Sequence, residues 1–122
     1  MKIKHLRPML WTNDFEGTIR FYTEKLGFEL LARMDEYPWA ALKLDSAGVM
    51  ISGPNEHVPQ KDIAFSGSFY FNTDDVDACW HELKDKVRIC YDIETFDFGM
   101  REFAIYDNNG YLLQFGQEVE AA

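Results

Sequence analysis

The sequence predicts an α+β fold made of two tandem βαβββ units, because two separated segments of the chain repeat. Residues Asp45–Ser52 are matched by Asp107–Gln114, 62 positions later. Residues Thr12–Phe15 are matched by Thr73–Val76, 61 positions later. Two copies of one supersecondary unit predict a pseudo-twofold arrangement, in which equivalent positions of the copies face each other across a shared groove.

The first copy begins with a predicted strand and a predicted helix. Residues 5–11 alternate in two sets, with His5, Arg7, Met9 and Trp11 on one face of a strand. Pro8 lacks the N–H that a ladder needs, which predicts an edge or bulged strand. Asp14 is a suitable helix N-cap and Gly27 a suitable helix end. Between them, one apolar stripe lies at helical spacing: Phe15, Ile19, Tyr22 and Leu26.

The second copy follows the same order. A strand over residues 68–72 is followed by Asp74 or Asp75 as the helix cap. The helix stripe has the same spacing as in the first copy and comprises Val76, Trp80, Leu83 and Val87.

Three further strands are expected in each copy. Hairpin turns are expected at Asp45–Gly48 and Asp107–Gly110, with glycine supplying the positive φ. The whole chain, residues 1–122, is interpreted as one domain with a first copy over about 3–53, a connector over about 54–66 and a second copy over about 67–117. The expected strands are Glu29–Arg33, Trp39–Leu44 and Val49–Ser52, then Arg88–Glu94, Arg101–Tyr106 and Tyr111–Phe115.

Composition and charge favour a cytoplasmic protein and disfavour two classes of partner. The net charge of −9 disfavours a nucleic-acid binder, because phosphate contacts need clustered Lys and Arg. No apolar run approaches the ~20 residues that span a bilayer, and no signal peptide is recognised. Cys79 and Cys90 have neither disulfide nor zinc spacing, so we expect reduced thiols in the core.

The chain resembles the vicinal oxygen chelate superfamily, which contains glyoxalases, bleomycin resistance proteins and extradiol dioxygenases. The resemblance rests on Phe21-Tyr22 and Leu26-Gly27-Phe28, and on the segment Arg101–Gly110, which is most similar to the bleomycin resistance branch. It extends from about His5 to Phe115. It implies rolled mixed sheets around a groove, and commonly a homodimer.

The resemblance also implies where a metal would bind, and those positions lack suitable ligands. The first and last strands of each copy supply the ligands in metal-binding members, which here gives Arg7, Ser52, Ser68 and Gln114. Divalent ions need anionic or imidazole ligands. A guanidinium about 4 Å from a dication would be repelled by roughly 8 kcal/mol at an effective dielectric of ~20. We therefore expect no metal and no cofactor, although a two-residue slip would place His5 in the groove.

The groove is expected to bind a ligand through aromatic, thioether and hydrogen-bonding groups. Strand parity assigns Arg7, Met9, Met50, Ser52, Ser68, Tyr70, Leu112 and Gln114 to its walls. The equivalent segments Asp35–Trp39 and Phe96–Arg101 add four further candidates. These are Tyr37, Trp39, Phe98 and Met100, of which Trp39 and Phe98 could instead fill the fold or an interface.

The sequence favours a metal-free, bleomycin-resistance-like protein that binds a cationic or aromatic organic molecule without turning it over. It would be a cytoplasmic homodimer with a role in antibiotic resistance. The alternative is a metal-dependent lyase, isomerase or oxygenase, like the glyoxalases and dioxygenases, with displaced ligands. A third hypothesis is a regulatory partner whose groove is vestigial.

Overall fold

The secondary-structure elements form in the order that the repeat predicts. A computed structural model describes residues 1–2, 4–54 and 68–119, and the chain divides into two units, residues 1–63 and 64–122. Each unit contributes a strand, a helix and three strands, and each forms one mixed four-stranded sheet. The predicted α+β fold class is confirmed. Most of the predicted connector lies outside the described residues.

The first unit forms a sheet in the order β1-β4-β3-β2, with β1 parallel to β4. The prediction of a strand from residue 5 is wrong in its first half, because β1 begins only at Met9. Pro8 has no N–H to offer a partner, and only its carbonyl joins the sheet, accepting from Met50 N at 2.8 Å. The elements are β1 Met9–Trp11, helix α1 Phe15–Arg20 continued by a π-helical turn Phe21–Lys25, β2 Glu29–Met34, β3 Trp39–Leu44 and β4 Ala47–Ser52.

The second unit repeats this topology in the order β5-β8-β7-β6, with β5 parallel to β8. The expected strand bounds hold to within three residues. The elements are β5 Ser68–Asn72, helix α2 Val76–Leu83, β6 Arg88–Thr95, β7 Met100–Tyr106 and β8 Leu112–Glu118.

Both helices begin with the same pair of side-chain hydrogen bonds. Asp14 accepts from Gly17 N at 3.0 Å, and Asp75 accepts from Ala78 N at 3.1 Å. The hydroxyls of Thr12 and Thr73 accept from the backbone N–H of these aspartates at 2.9 and 3.2 Å. The repeated Thr-x-Asp sequence therefore fixes the start of both helices, and it identifies Asp75 rather than Asp74 as the second cap.

The first helix ends before Gly27, as predicted, but its last turn is wider than that of a regular α-helix. Leu26 N donates to Phe21 O at 3.3 Å, which widens the last turn to π geometry, and Gly27 follows with φ 82°. The wider turn lets the successive residues Phe21 and Tyr22 both be buried, with 8% and 0% exposure. A strictly helical stripe does not include Phe21, because that residue lies outside a 3.6-residue period.

The core of the second unit is a row of aromatic rings on one face of its sheet. Phe71, Phe115 and Phe103 are paired neighbours on β5, β8 and β7. Their centroids are separated by 5.1 and 5.2 Å. Trp80 of α2 packs edge-on against Phe103 at 5.2 Å. Because side chains alternate along a strand, the other face of this sheet is left for different residues.

The two predicted hairpin turns obtain their positive φ from different residues. Gly110 has φ 96°, as expected, whereas in the first copy Asp45 has φ 52° and Gly48 is not in this region. Aspartate tolerates the left-handed region better than most residues, because its short polar side chain can bond locally. The expectation for Gly48 is therefore wrong.

No helix in the described part of the chain is both long enough and apolar enough to cross a membrane.

The cap at α2 gives a stability prediction. Replacing Asp75→Ala leaves Ala78 N without its acceptor, so we expect the free energy of unfolding to fall by about 1 kcal/mol. Asp74→Ala is the matched control, since it removes the same charge one residue away at an exposed position. Urea unfolding followed by circular dichroism measures both. Equal losses in the two variants would contradict the assignment of Asp75.

Candidate functional site

The face of the second sheet opposite the phenylalanine row carries polar side chains in register. Strand pairing places Tyr70, Gln114, Ala104 and Tyr91 side by side across β5, β8, β7 and β6. The neighbouring row comprises Asn72, Gly116, Glu102 and Glu94.

The centre of this face is the carboxylate of Glu102, whose residue is only 4% exposed. Tyr70 Oη donates to its Oε1 at 3.1 Å, and Tyr91 Oη donates to its Oε2. Gln114 Nε2 approaches the same Oε2 at 3.4 Å. The adjacent Arg101 is turned away and pairs with Asp77 at 2.9 Å. Among the described residues, Glu102 is therefore held by neutral donors and forms no ion pair.

The hydrogen bonds continue outwards to the edge strand β5. Gln114 Nε2 also donates to Tyr91 Oη at 2.9 Å, and Ser68 Oγ donates to Gln114 Oε1 at 2.6 Å. A single connected network thus joins one side chain from β6, one from β7, one from β8 and two from β5.

Gly116 makes room for this network. A Cβ built at Gly116 would lie 1.8 Å from Tyr70 Oη, so the tyrosine reaches Glu102 by passing directly over the glycine. A glycine inside a strand commonly marks such a close approach. Any larger residue here would displace the phenol from the carboxylate.

Burial, together with the hydrogen bond to Glu102 and the charge of that residue, raises the pKa of Tyr70 to about 12. Burial likewise raises the pKa of Tyr91 to about 12, with Gln114 opposing and Glu102 reinforcing the change. Both phenols are therefore protonated donors at neutral pH.

A pocket of about 640 Å³ opens beside this network within the second unit. Phe96 and Phe98 stack in it at 5.2 Å and 8°, and Tyr91 meets Phe96 edge-on at 6.0 Å. Phe98 is 65% exposed. The lining residues are Tyr91, Asp92, Ile93, Glu94, Phe96, Phe98, Glu102 and Gln114.

A bulge in β6 explains why four successive residues line the pocket. Tyr91 pairs with Ala104 and Glu94 pairs with Glu102, so residues 92 and 93 together oppose Phe103 alone. In a regular strand, every second side chain would point to the phenylalanine face.

The residues predicted for the site in the second copy are only partly brought together. Phe98 and Gln114 line the pocket, and Ser68 and Tyr70 belong to the hydrogen-bond network. Two others do not line it: Leu112, which pairs with Ser68, and Met100, which begins β7.

Of the residues predicted in the first copy, four lie on the first unit's sheet, one lies on its β2–β3 turn, and Arg7 precedes β1. Arg7 passes over Gly48, where a Cβ would meet its side chain at 3.3 Å. The turn residue Tyr37 is 67% exposed. The remaining four form two cross-strand pairs, Met9 with Met50 and Trp39 with Ser52.

Six pocket residues were not among the ligand-binding candidates that the sequence predicted: Tyr91, Asp92, Ile93, Glu94, Phe96 and Glu102. Glu102 could have been found, because it alternates with the buried Phe103 and shares parity with Ala104 on the face opposite the core. The other strand residues required knowledge of the bulge.

The metal that the resemblance implies does not fit this donor set. Ser68 and Gln114, the expected ligand positions of the second copy, are hydrogen-bonded to each other. Their neighbour Glu102 already accepts from two phenols. Within residues 1–2, 4–54 and 68–119, no three His, Cys, Asp or Glu side chains gather as a metal site would require. His5 is exposed and precedes β1.

The tyrosines give a pH prediction. Both have a folded-state pKa raised above the ordinary value of 10.0, so the stability they contribute is complete below about pH 10 and is lost as pH rises through about 12. Tyrosinate absorbance should show these two phenols ionising near pH 12, and Glu102→Gln should lower their midpoint. Tyr70→Phe and Tyr91→Phe each remove one ionisation. An unchanged midpoint in Glu102→Gln would contradict the network.

Solved structures with this fold include a protein of unknown function, an antibiotic binding protein and a lyase. A protein of unknown function from Agrobacterium tumefaciens has a TM-score of 0.79 at 19% identity, covering 98% of this chain and 97% of its own. The antibiotic binding protein TnmS3 from Streptomyces has a TM-score of 0.77 at 22% identity, covering 97% and 98%. A lactoylglutathione lyase from Agrobacterium tumefaciens has a TM-score of 0.74 at 17% identity, covering 96% of each chain.

These similarities establish the fold, and sequence comparison establishes the family. No curated protein sequence matches the chain. The family profile described as the glyoxalase/bleomycin resistance protein/dioxygenase superfamily matches residues 2–115. The chain therefore belongs to the glyoxalase/bleomycin resistance protein/dioxygenase superfamily.

Proposed function

We propose that this protein binds a small organic molecule with a planar aromatic group, which stacks on Phe98 in the pocket of the second unit. The observation that carries the proposal is the exposed ring of Phe98, which stacks on Phe96 beside hydrogen-bonding groups. The pocket volume of about 640 Å³ lies in the range of small-molecule sites.

The stack supports this proposal because it orients Phe98 in advance. One face of the Phe98 ring lies against Phe96, parallel to within 8°. Phe96 is in turn held edge-on by Tyr91, which is fixed by its bond to Glu102. With the residue 65% exposed, the second face of Phe98 is available to a third ring.

Binding without turnover is supported by the state of the polar groups. An acid or base works best when its pKa is near the working pH, whereas Tyr70 and Tyr91 have pKa values of about 12. They are suited to donating hydrogen bonds to a carboxylate or a ligand. The description of TnmS3 as an antibiotic binding protein supports a binding role, although the same fold also occurs in a lyase.

The proposal extends to the family features that the sequence implies: a cytoplasmic homodimer that sequesters its ligand and so contributes to antibiotic resistance. Light scattering measures the dimer independently of ligand, and a monomer at all concentrations would contradict it.

The stacking proposal is tested with acridone, a neutral planar tricycle, by fluorescence titration. Phe98→Ala should weaken binding roughly tenfold, because about 1–2 kcal/mol of stacking is lost. Tyr37→Ala is the matched comparison: it is equivalent to Phe98 in the repeat and as exposed, but it lies in the first unit. We expect it to change affinity by less than about twofold. A larger loss in Tyr37→Ala than in Phe98→Ala contradicts the proposed pocket, as does no binding of acridone.

A further inference from the structure

We propose that Glu102 makes this pocket selective for ligands that carry a compact cationic N–H donor, such as an ammonium or amidinium group, attached to the planar ring. The inference rests on the proposed binding function and identifies the residue that determines its specificity.

The charge of Glu102 is the first reason. The residue is 4% exposed, and in the described part of the chain its hydrogen-bond donors are two phenols and an amide. Neutral donors satisfy the oxygens but do not neutralise the charge. A buried carboxylate without a basic partner is under-compensated, and a ligand cation would supply that partner.

The composition of the pocket wall is the second reason. Its eight lining residues include three carboxylates, Asp92, Glu94 and Glu102, and no Lys, Arg or His. Like charges that line one cleft add to a single field. An anionic ligand is therefore repelled, and a cationic ligand is attracted before it makes contact.

The geometry of the acceptor oxygens is the third reason. It favours a cation that carries an N–H over a cation that carries none. Each carboxylate oxygen has about two acceptor positions. In the described part of the chain, Tyr70 is the donor to Oε1 of Glu102, at 3.1 Å, and Glu102 lines the pocket. A ligand N–H can approach the carboxylate at hydrogen-bonding distance, whereas a fully alkylated nitrogen holds its charge farther away.

Three tricyclic probes of similar shape test the proposal. Acridone is neutral, N-methylacridinium has a positive charge but no N–H, and protonated aminoacridine has a positive charge and N–H donors. We expect the wild-type protein to bind aminoacridine at least tenfold more tightly than the other two, the order of magnitude of a hydrogen bond to a charged group. This comparison needs no variant.

The variant Glu102→Gln keeps the shape and removes the charge. It should abolish most of the preference for aminoacridine over acridone and N-methylacridinium, a ratio that is measured within the one variant. Asp97→Asn is the matched control, because Asp97 is exposed between the two stacked phenylalanines and does not line the pocket. It should retain the full preference.

The proposal is overturned if the wild-type protein binds aminoacridine and N-methylacridinium equally, or if Glu102→Gln retains the preference. Acridone binding that depends on Phe98, without a preference among probes, would leave the proposed function intact and defeat only this inference. If no tricycle binds, the proposed function fails first.

Discussion

A carboxylate removed from water must be given hydrogen-bond donors, and this requirement organises the second unit. Glu102 on β7 receives donors from β5, β6 and β8, so each of the four strands contributes to one network. Losing one donor would leave part of a buried charge unsatisfied, at a cost of about 1–3 kcal/mol or more. The strand registers and the glycine at position 116 are all compatible with this single arrangement.

One face of the second sheet packs against α2, and the opposite face carries the hydrogen-bonding groups. One face packs Phe71, Phe115 and Phe103 in a row against α2, which fixes the strands relative to one another. The opposite face places its hydrogen-bonding groups on those same fixed strands. A binding site built on strands of this kind is positioned more accurately than one built on loops, because the core holds its supporting backbone.

Much of the fold could be predicted from the sequence, because the helix caps, apolar stripes and turn residues each occur in both copies of the repeat. The Thr-x-Asp caps occur in both copies, and the element order is confirmed throughout. The π turn at Phe21–Lys25 could not be predicted, since it depends on a shift of backbone hydrogen bonds that a helical period does not encode. The site could be predicted only in part from the sequence. Strand parity places Glu102 on the face opposite the core, whereas Tyr91 and Glu94 lie on the same face as each other because β6 is bulged.

Because β6 is bulged, a change in its length, as well as a substitution, would alter the residues that line the pocket. Regular strands change their ligand-facing surface by substitution, one residue at a time and at every second position. Here the number of residues between Tyr91 and Glu94 determines how many consecutive side chains are displayed. Inserting or deleting one residue here would therefore change which residues line the pocket, while the pairing partners Ala104 and Glu102 and the phenylalanine core stay as they are.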